Sequence, residues 1–212
     1  MNICVAAATM LEIEPLIENI KSPPHKLIIT GIGAAASAYL LTKVIKEDKP
    51  DLIIQAGIAG GFNSNLPLGE VYIVSQDRFA DLGVEENNEW LDIYDLGLSS
   101  PDDPPFKNGW LKNDHLASLN SQLPLVSAIT INEVTTNSSR IRLLQKKYKA
   151  AIESMEGAAL HLVCLQENVR FIQLRAVSNY IGERDKKNWQ MQKAICNLNE
   201  QLISLLEKIN SI

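Results

Sequence analysis

The feature that most constrains this chain is a set of short, mostly apolar runs that stop at glycine or at small polar residues. Ile3 to Ala8, Leu27 to Ile29, Asp51 to Ala56, Val71 to Ser75, Leu125 to Ile131 and Val169 to Val177 are of this kind. Such runs read as strands buried on both faces, because a half-exposed strand would alternate apolar with polar residues. Amphipathic stretches lie between them. A helix is expected from Glu14-Pro15 toward Ile20, ended by Ser22-Pro23-Pro24. Another spans Ala34 to Glu47, with Ala38, Leu41 and Ile45 on one face, and Asp48-Lys49-Pro50 breaks it. Further helices are expected over Ser138 to Ala150 and Glu156 to Gln166. A last one carries Met191, Ala194, Ile195, Leu198, Leu202, Leu205, Leu206 and Ile209 on one stripe. Strands alternating with helices predict an α/β protein whose sheet is covered on both faces. A chain of 212 residues is expected to make one domain, residues 1–212.

Charge removes several function classes. The formal net charge is -5 and no basic stripe stands out, so no nucleic-acid partner is expected. Lys146-Lys147-Tyr148-Lys149 reads as a solvated helix end. Cys4, Cys164 and Cys196 are far apart and odd in number, and no Cys/His cluster accompanies them. Buried, reduced thiols are expected, with no metal site and no cofactor. The start lacks a basic leader and meets Glu12 and Glu14, and no apolar run approaches the ~18 residues of a membrane helix. A cytoplasmic protein without a membrane partner is expected.

In α/β folds ligands sit outside the carboxyl ends of strands. Gly31 to Gly33, Ile58 to Gly61, Asn132 to Thr136 and Ser178-Asn179 all fall there. TGIGAAAS (30–37) reads as a strand-to-helix turn, either with a ligand at the helix start or without one. QAGIAGGF (55–62) reads either as a flat wall for a planar ligand or as a close-packed turn; apolar Ile58 argues against a phosphate cradle. Glu12, Glu14 and Glu156 are candidate acids, or charges favoured at helix starts. His25, His115 and His161 have no evident catalytic partner, and no GxSxG motif or Cys/His pair recommends a covalent nucleophile. From Asp77 to Asp114 the chain is acidic and proline-bearing but carries Trp90, Tyr94, Phe106 and Trp110. It reads as a long irregular excursion that docks on the body, over a site or an interface.

LEIEP after the first strand, the TGIG turn, QAGIAGGF, SMEGAA and RAVSN together resemble, in order, the nucleoside phosphorylase/nucleosidase superfamily. SMEGAA followed by RAVSN is the specific part. The resemblance implies a phosphorylase/hydrolase-like fold: a three-layer α/β/α sandwich around a central mixed, mostly parallel twisted sheet. It implies Glu12 orienting or deprotonating an attacking water, Met155 and Glu156 holding ribose, and a residue at Asn179 meeting the base. Gly33, Ile58, Ala59, Gly60, Val134, Thr135 and Ser178 match family positions around the substrate, Ser178 orienting Asn179. The partners implied are a small purine nucleoside and water, and a homodimer or larger homo-oligomer. Methylthioadenosine/S-adenosylhomocysteine nucleosidases look similar but carry an Asp where this chain has Asn179.

That departure has a chemical reading. Adenine presents an N7 acceptor and a 6-amino donor, which one protonated acid can satisfy. A 6-oxopurine presents two acceptors, N7 and O6, and an amide can donate without an acidic proton. Mismatched buried donors and acceptors discriminate strongly. SNYIGERDKKNW and ATMLEIEPL resemble the futalosine hydrolase subfamily, which implies release of hypoxanthine from futalosine, an inosine derivative with a carboxyphenyl-ketone extension, on a route to menaquinone. The alternatives are an adenine-releasing nucleosidase, acting on methylthioadenosine, S-adenosylhomocysteine or aminodeoxyfutalosine; a purine nucleoside phosphorylase; and a non-catalytic nucleoside-binding protein. Asn179 cannot be a full general acid; water or Asp185 remains as proton source, and Asp185 also reads as a surface cap. Arg184 is open to the substrate carboxylate or to a surface ion pair.

Overall fold

A computed structural model describes residues 1–20, 23–118 and 121–210. In chain order the elements are β1 (Ile3–Ala7), α1 (Met10–Asn19), β2 (Lys26–Ile29), α2 (Ala34–Asp48), β3 (Leu52–Gly61), β4 (Val71–Asp77), β5 (Gly83–Glu86), β6 (Glu89–Asp92) and β7 (Leu111–Lys112). They continue with β8 (Leu125–Thr130), α3 (Ser138–Tyr148), β9 (Ile152–Ser154), α4 (Gly157–Gln166), β10 (Arg170–Tyr180) and α5 (Met191–Asn210). The sheet order is β10-β4-β8-β9-β3-β1-β2, with β7 on β4. Five of its pairings are parallel: β1–β2, β1–β3, β3–β10, β4–β8 and β8–β9. The β3–β9, β4–β7 and β4–β10 pairings are antiparallel. The mixed, mostly parallel α/β sheet is therefore present.

Helices close both faces. α1 and α5 cover Val5, Ile54, Ile73 and Leu174 on one side. α2 and α4 cover Cys4, Ala6, Ile53 and Phe171 on the other. Part of the sheet also rolls up, because β3 is long enough to change partners. Its first half lies between β1 and β10, and its last two residues, Gly60 and Gly61, pair with β9. The circuit β3-β10-β4-β8-β9 thus returns to β3. Its small interior is filled by Ala59, Tyr72, Val74, Ala128, Ile152 and Val177.

Several elements differ from the expectations. α1 begins at Met10, because Thr9 and Glu12 have the T-x-x-E spacing of a capping box and the Glu12 carboxylate accepts from the Thr9 backbone at 3.0 Å. Pro15 lies inside that helix and does not begin it. Buried Asn199 of α5 reaches into α1 at this point, donating to the Glu12 carbonyl at 2.8 Å and accepting from Leu16 N at 3.0 Å. Of the expected stop, Ser22 lies outside the described residues. Gly57 to Gly61 is not a turn but the end of β3, hydrogen-bonded along β10 as far as Tyr180. β10 likewise runs past Val177 through Ser178 and Asn179.

The excursion is not wholly irregular: β5 and β6 form a hairpin and β7 joins the main sheet. It docks through buried Trp90, whose indole N–H donates to the Tyr148 hydroxyl at 2.7 Å. Lys147 is paired with Asp95 and Asp92, so the expected solvated run is partly engaged. Cys4 and Cys164 are buried and burial pushes the Cys4 thiol up to about 12, but Cys196 is exposed on the polar side of α5.

Candidate active site

The carboxyl ends of β1, β3, β9 and β10 surround a cavity of about 310 Å³. Of the eleven residues singled out from the sequence, ten line it; Gly33 stands behind it as a hydrogen-bond donor. Glu12 arrives on the first turn of α1. Its Oε1 accepts from Ile58 N at 3.0 Å, and its Oε2 from the Thr9 backbone and hydroxyl, both at 3.0 Å. Glu156 stands at the N-cap of α4, with Met155 before it. Its Oε1 accepts from Gly33 N at 3.0 Å. Gly33 is the N-cap of α2 at φ 92°, a conformation that favours glycine, so the TGIG turn aims the start of α2 at the protein's own carboxylate.

Behind both acids lies Arg175, which the sequence reading passed over. Its side chain is 1% exposed and ion-pairs with Glu156 Oε2 at 3.5 Å. It also donates to Gln55 Oε1 at 2.8 Å and to the Ile58 carbonyl at 3.4 Å. A Cβ at Gly57 would stand 2.3 Å from this guanidinium and 2.9 Å from Glu12, so the glycine run is needed for close approach by the site's own side chains. The signal was an arginine in the middle of a mostly apolar strand, FIQLRAVS.

Asn179 owes its direction to a backbone irregularity. Val177 pairs with Ala59, but Asn179 pairs with the very next residue, Gly60, so Ser178 is an extra residue in β10. Without the bulge, Val177 and Asn179 would share a face. With it, Val177 stays inside the rolled sheet while Asn179 turns out into the cavity. Ser178 Oγ donates to Asn179 Oδ1 at 2.8 Å, and Asn179 Nδ2 donates to the Tyr180 carbonyl at 3.1 Å. Those two partners fix which end of the amide is which, and leave one N–H of Nδ2 to donate.

Glu153 of β9, also passed over, lines the cavity and is buried; Thr135 Oγ1 donates to its Oε2 at 2.7 Å. Burial pushes its carboxyl up to about 7, against hydrogen bonds from the Thr135 side chain and backbone. Its signal was an acid breaking an apolar run, AAIES. Val134 and Thr135 lie on the segment after β8, and Ile181, Trp189 and Ile195 complete the wall. Arg184 is exposed, and Asp185 caps a short 3-10 turn by accepting from Lys187 N. Burial pushes His161 down to about 4, and its Nδ1 faces the Leu111 carbonyl at 2.9 Å, away from the cavity. Among the described residues no group of three His, Cys, Asp or Glu could hold a metal ion, and no helix could cross a membrane.

This geometry has relatives. The chain is 30% identical over 203 residues to futalosine hydrolase of Streptomyces coelicolor, covering 87% of this chain and 80% of that protein. It is 29% identical to futalosine hydrolase of Thermus thermophilus, covering 94% and 90%. A 5'-methylthioadenosine/S-adenosylhomocysteine nucleosidase of Pseudoalteromonas translucida is 25% identical, covering 88% and 80%. Among solved structures, futalosine hydrolase of Helicobacter pylori superposes with TM-score 0.78 at 17% identity, covering 97% of each chain. The 5'-methylthioadenosine/S-adenosylhomocysteine nucleosidase of Neisseria meningitidis, in complex with methylthio-immucillin-A, gives 0.78 at 20%, covering 97% and 98%. The family model described as "Phosphorylase superfamily" matches residues 17–208, which takes in α2, the glycine run of β3, Glu156 and Asn179. With that match and the rolled mixed sheet in agreement, the chain belongs to the phosphorylase superfamily.

Proposed function

We propose that the protein is a nucleosidase that hydrolyses the N-ribosidic bond of futalosine and releases hypoxanthine. The observation that carries this reading is Asn179. A bulge turns its amide into the cavity, and Ser178 and the Tyr180 carbonyl hold it with an N–H to spare. A donor there suits the N7 and O6 acceptors of a 6-oxopurine and meets the amine of adenine badly. The similarity to futalosine hydrolases over most of the chain supports the same substrate.

Met155 and Glu156 bind the ribose, and the Glu156 carboxylate stabilises the positive charge that develops on the sugar as the bond to the base lengthens. Glu12 takes the proton of the attacking water. Its two oxygens are held by three donors, so it need not reorganise as the water adds. Asn179 donates to the departing purine, and solvent supplies its proton. We also propose assembly as a homodimer or larger. Leu11, Ile32 and Val134 line the cavity and remain 56%, 64% and 45% exposed, apolar surface that a second copy would cover.

The test is base release, by chromatography, from futalosine, aminodeoxyfutalosine, inosine and methylthioadenosine, with and without phosphate. Hypoxanthine from futalosine, independent of phosphate, is expected. Adenine release would refute the reading of Asn179, and phosphate dependence would make the protein a phosphorylase. Replacing Asn179→Asp is expected to move preference toward 6-amino nucleosides.

A further inference from the structure

Asn199 breaks the pattern of α5. The other buried residues described in that helix are alanine, isoleucine or leucine, and Asn199 is itself only 2% exposed. A buried amide costs stability unless its polar atoms are paired. Here Nδ2 donates to the Glu12 carbonyl at 2.8 Å and to the Ile195 carbonyl at 2.7 Å, and Oδ1 accepts from Leu16 N at 3.0 Å. Glu12 and Leu16 are four residues apart, so their carbonyl and N–H are the two groups that one step of an α-helix joins to each other. The amide of Asn199 thus lies across a rung of α1. Pro15 prepares the place for it: inside α1 it offers no N–H to the Leu11 carbonyl, and its ring crowds that carbonyl, which loosens a helix locally.

Packing alone does not call for an amide here. A leucine would continue the apolar stripe without burying polar atoms. What the amide adds is a fixed direction for the peptide that carries Glu12. The far end of that side chain is held by Ile58 N and by the Thr9 backbone and hydroxyl, and the Asn199 bond holds its root. A group that activates water has to be placed to within ~0.5 Å. We infer that Asn199 is a positioning residue for the reaction, which fixes the backbone of Glu12 from α5 and so aims its carboxylate at the attacking water. The inference rests on the proposed nucleosidase reading, in which Glu12 takes the proton of that water, and deepens it. Through the Ile195 carbonyl the same amide is tied to the cavity wall, since Ile195 and Met191 of α5 line the cavity.

The experiment compares the parent with Pro15→Ala, Asn199→Ala and the double variant, by urea midpoint and by kcat and KM on whichever nucleoside the parent cleaves fastest. In Asn199→Ala, kcat is expected to fall on the order of ten- to a hundredfold, the scale of a misplaced reacting group, with KM little changed. Its midpoint should fall too, because the Glu12 carbonyl and Leu16 N lose their partner. Pro15→Ala alone keeps the Asn199 bonds and should keep its kcat. In the double variant the ring is gone, so the Glu12 carbonyl and Leu16 N can pair with each other. Its midpoint is expected to recover while kcat stays low, since Glu12 is no longer held from α5. Recovery of kcat together with the midpoint would make Asn199 a structural tie and overturn the inference. So would an Asn199→Ala variant whose loss is all in KM. If Asn199→Ala does not fold, the kcat of the double variant decides in the same way. A parent that cleaves adenine nucleosides faster than futalosine loses the substrate reading and leaves this comparison intact. A parent that cleaves no nucleoside loses both.

Discussion

Arg78 and Arg175 are both sealed inside the protein against a carboxylate, and their surroundings differ in kind. Arg78 donates to Asp92 Oδ2 at 2.9 Å and lies over the rings of Tyr148, Trp110 and Tyr94. Asp92 is saturated from within: its Oδ1 accepts from Tyr94 N and Asp95 N, its Oδ2 also from the Tyr148 hydroxyl, and Lys147 stands 3.4 Å away. Neither oxygen of Asp92 is left to meet a ligand. Arg175 pairs with Glu156 at a looser 3.5 Å, and Glu156 lines the cavity. The first arginine fastens the 77–114 excursion to α3. The second braces a carboxylate whose free side faces the cavity. Burial and ion pairing alone therefore do not mark a functional charge; an unused face of the partner does.

The sharpest way to break this contrast is Asp92→Ala. Removing one partner of a buried pair costs about 3–5 kcal/mol, because it strands the other charge. The urea midpoint should fall accordingly, while the folded fraction keeps its turnover and substrate affinity. Lost turnover with an unchanged midpoint would mean that the excursion serves the site directly. The next effect is expected from Glu156→Gln, which keeps the acceptor for Gly33 N and removes the charge. Turnover should fall roughly a hundredfold, the scale of losing one preorganised electrostatic stabiliser. Stability should move less than in the Asp92 variant, since Arg175 retains Gln55 and the Ile58 carbonyl. Equal loss of stability in the two variants would erase the distinction between them.

The same contrast explains what was legible in the sequence. Apolar runs and helical stripes are local patterns, so the strand and helix order could be read directly; α5 is apolar along the stripe expected. Glu12, Glu156 and Asn179 stood out because each follows a strand end or opens a helix. Arg175 and Glu153 did not, because their meaning comes from neighbours far along the chain: Glu156 and Gln55 for one, Thr135 and Gly60 for the other. The bulge at Ser178 was equally hidden, since it exists only as a slip in register between β10 and β3. The glycines of β3 look like a turn in one dimension and become a strand because close approach on both sides requires them.

Asp77 is bonded to the backbone of Arg78 and lies within electrostatic reach of Arg175, so it offers the finest test of how far the two are separate. Its Oδ1 accepts from Arg78 N at 2.7 Å and from the Thr130 hydroxyl at 3.0 Å, and its Oδ2 accepts from Gln173 at 3.1 Å. Burial pushes its carboxyl up to about 6, while those hydrogen bonds and the Arg175 charge pull it down. The folded state therefore holds this proton longer than the unfolded state does. Its contribution to stability is full below the ordinary value of 3.8 and declines as pH rises to about 6, by up to about 1.4 kcal/mol per pH unit. His161 contributes a slope of the opposite sign as pH falls from 6.5 toward 4, which cancels when two variants are compared. Asp77→Asn has no proton to lose, and its NH2 can pair with the partnerless Gln173 Oε1 once that amide turns. Urea midpoints of the variant relative to the parent should improve steadily from about pH 4 to about pH 6 and then stay level. A variant weaker at every pH by the same amount would mean that Asp77 is ionised throughout. The carboxylate would then serve as a shared counter-ion, and the two arginine networks would be one electrostatic unit.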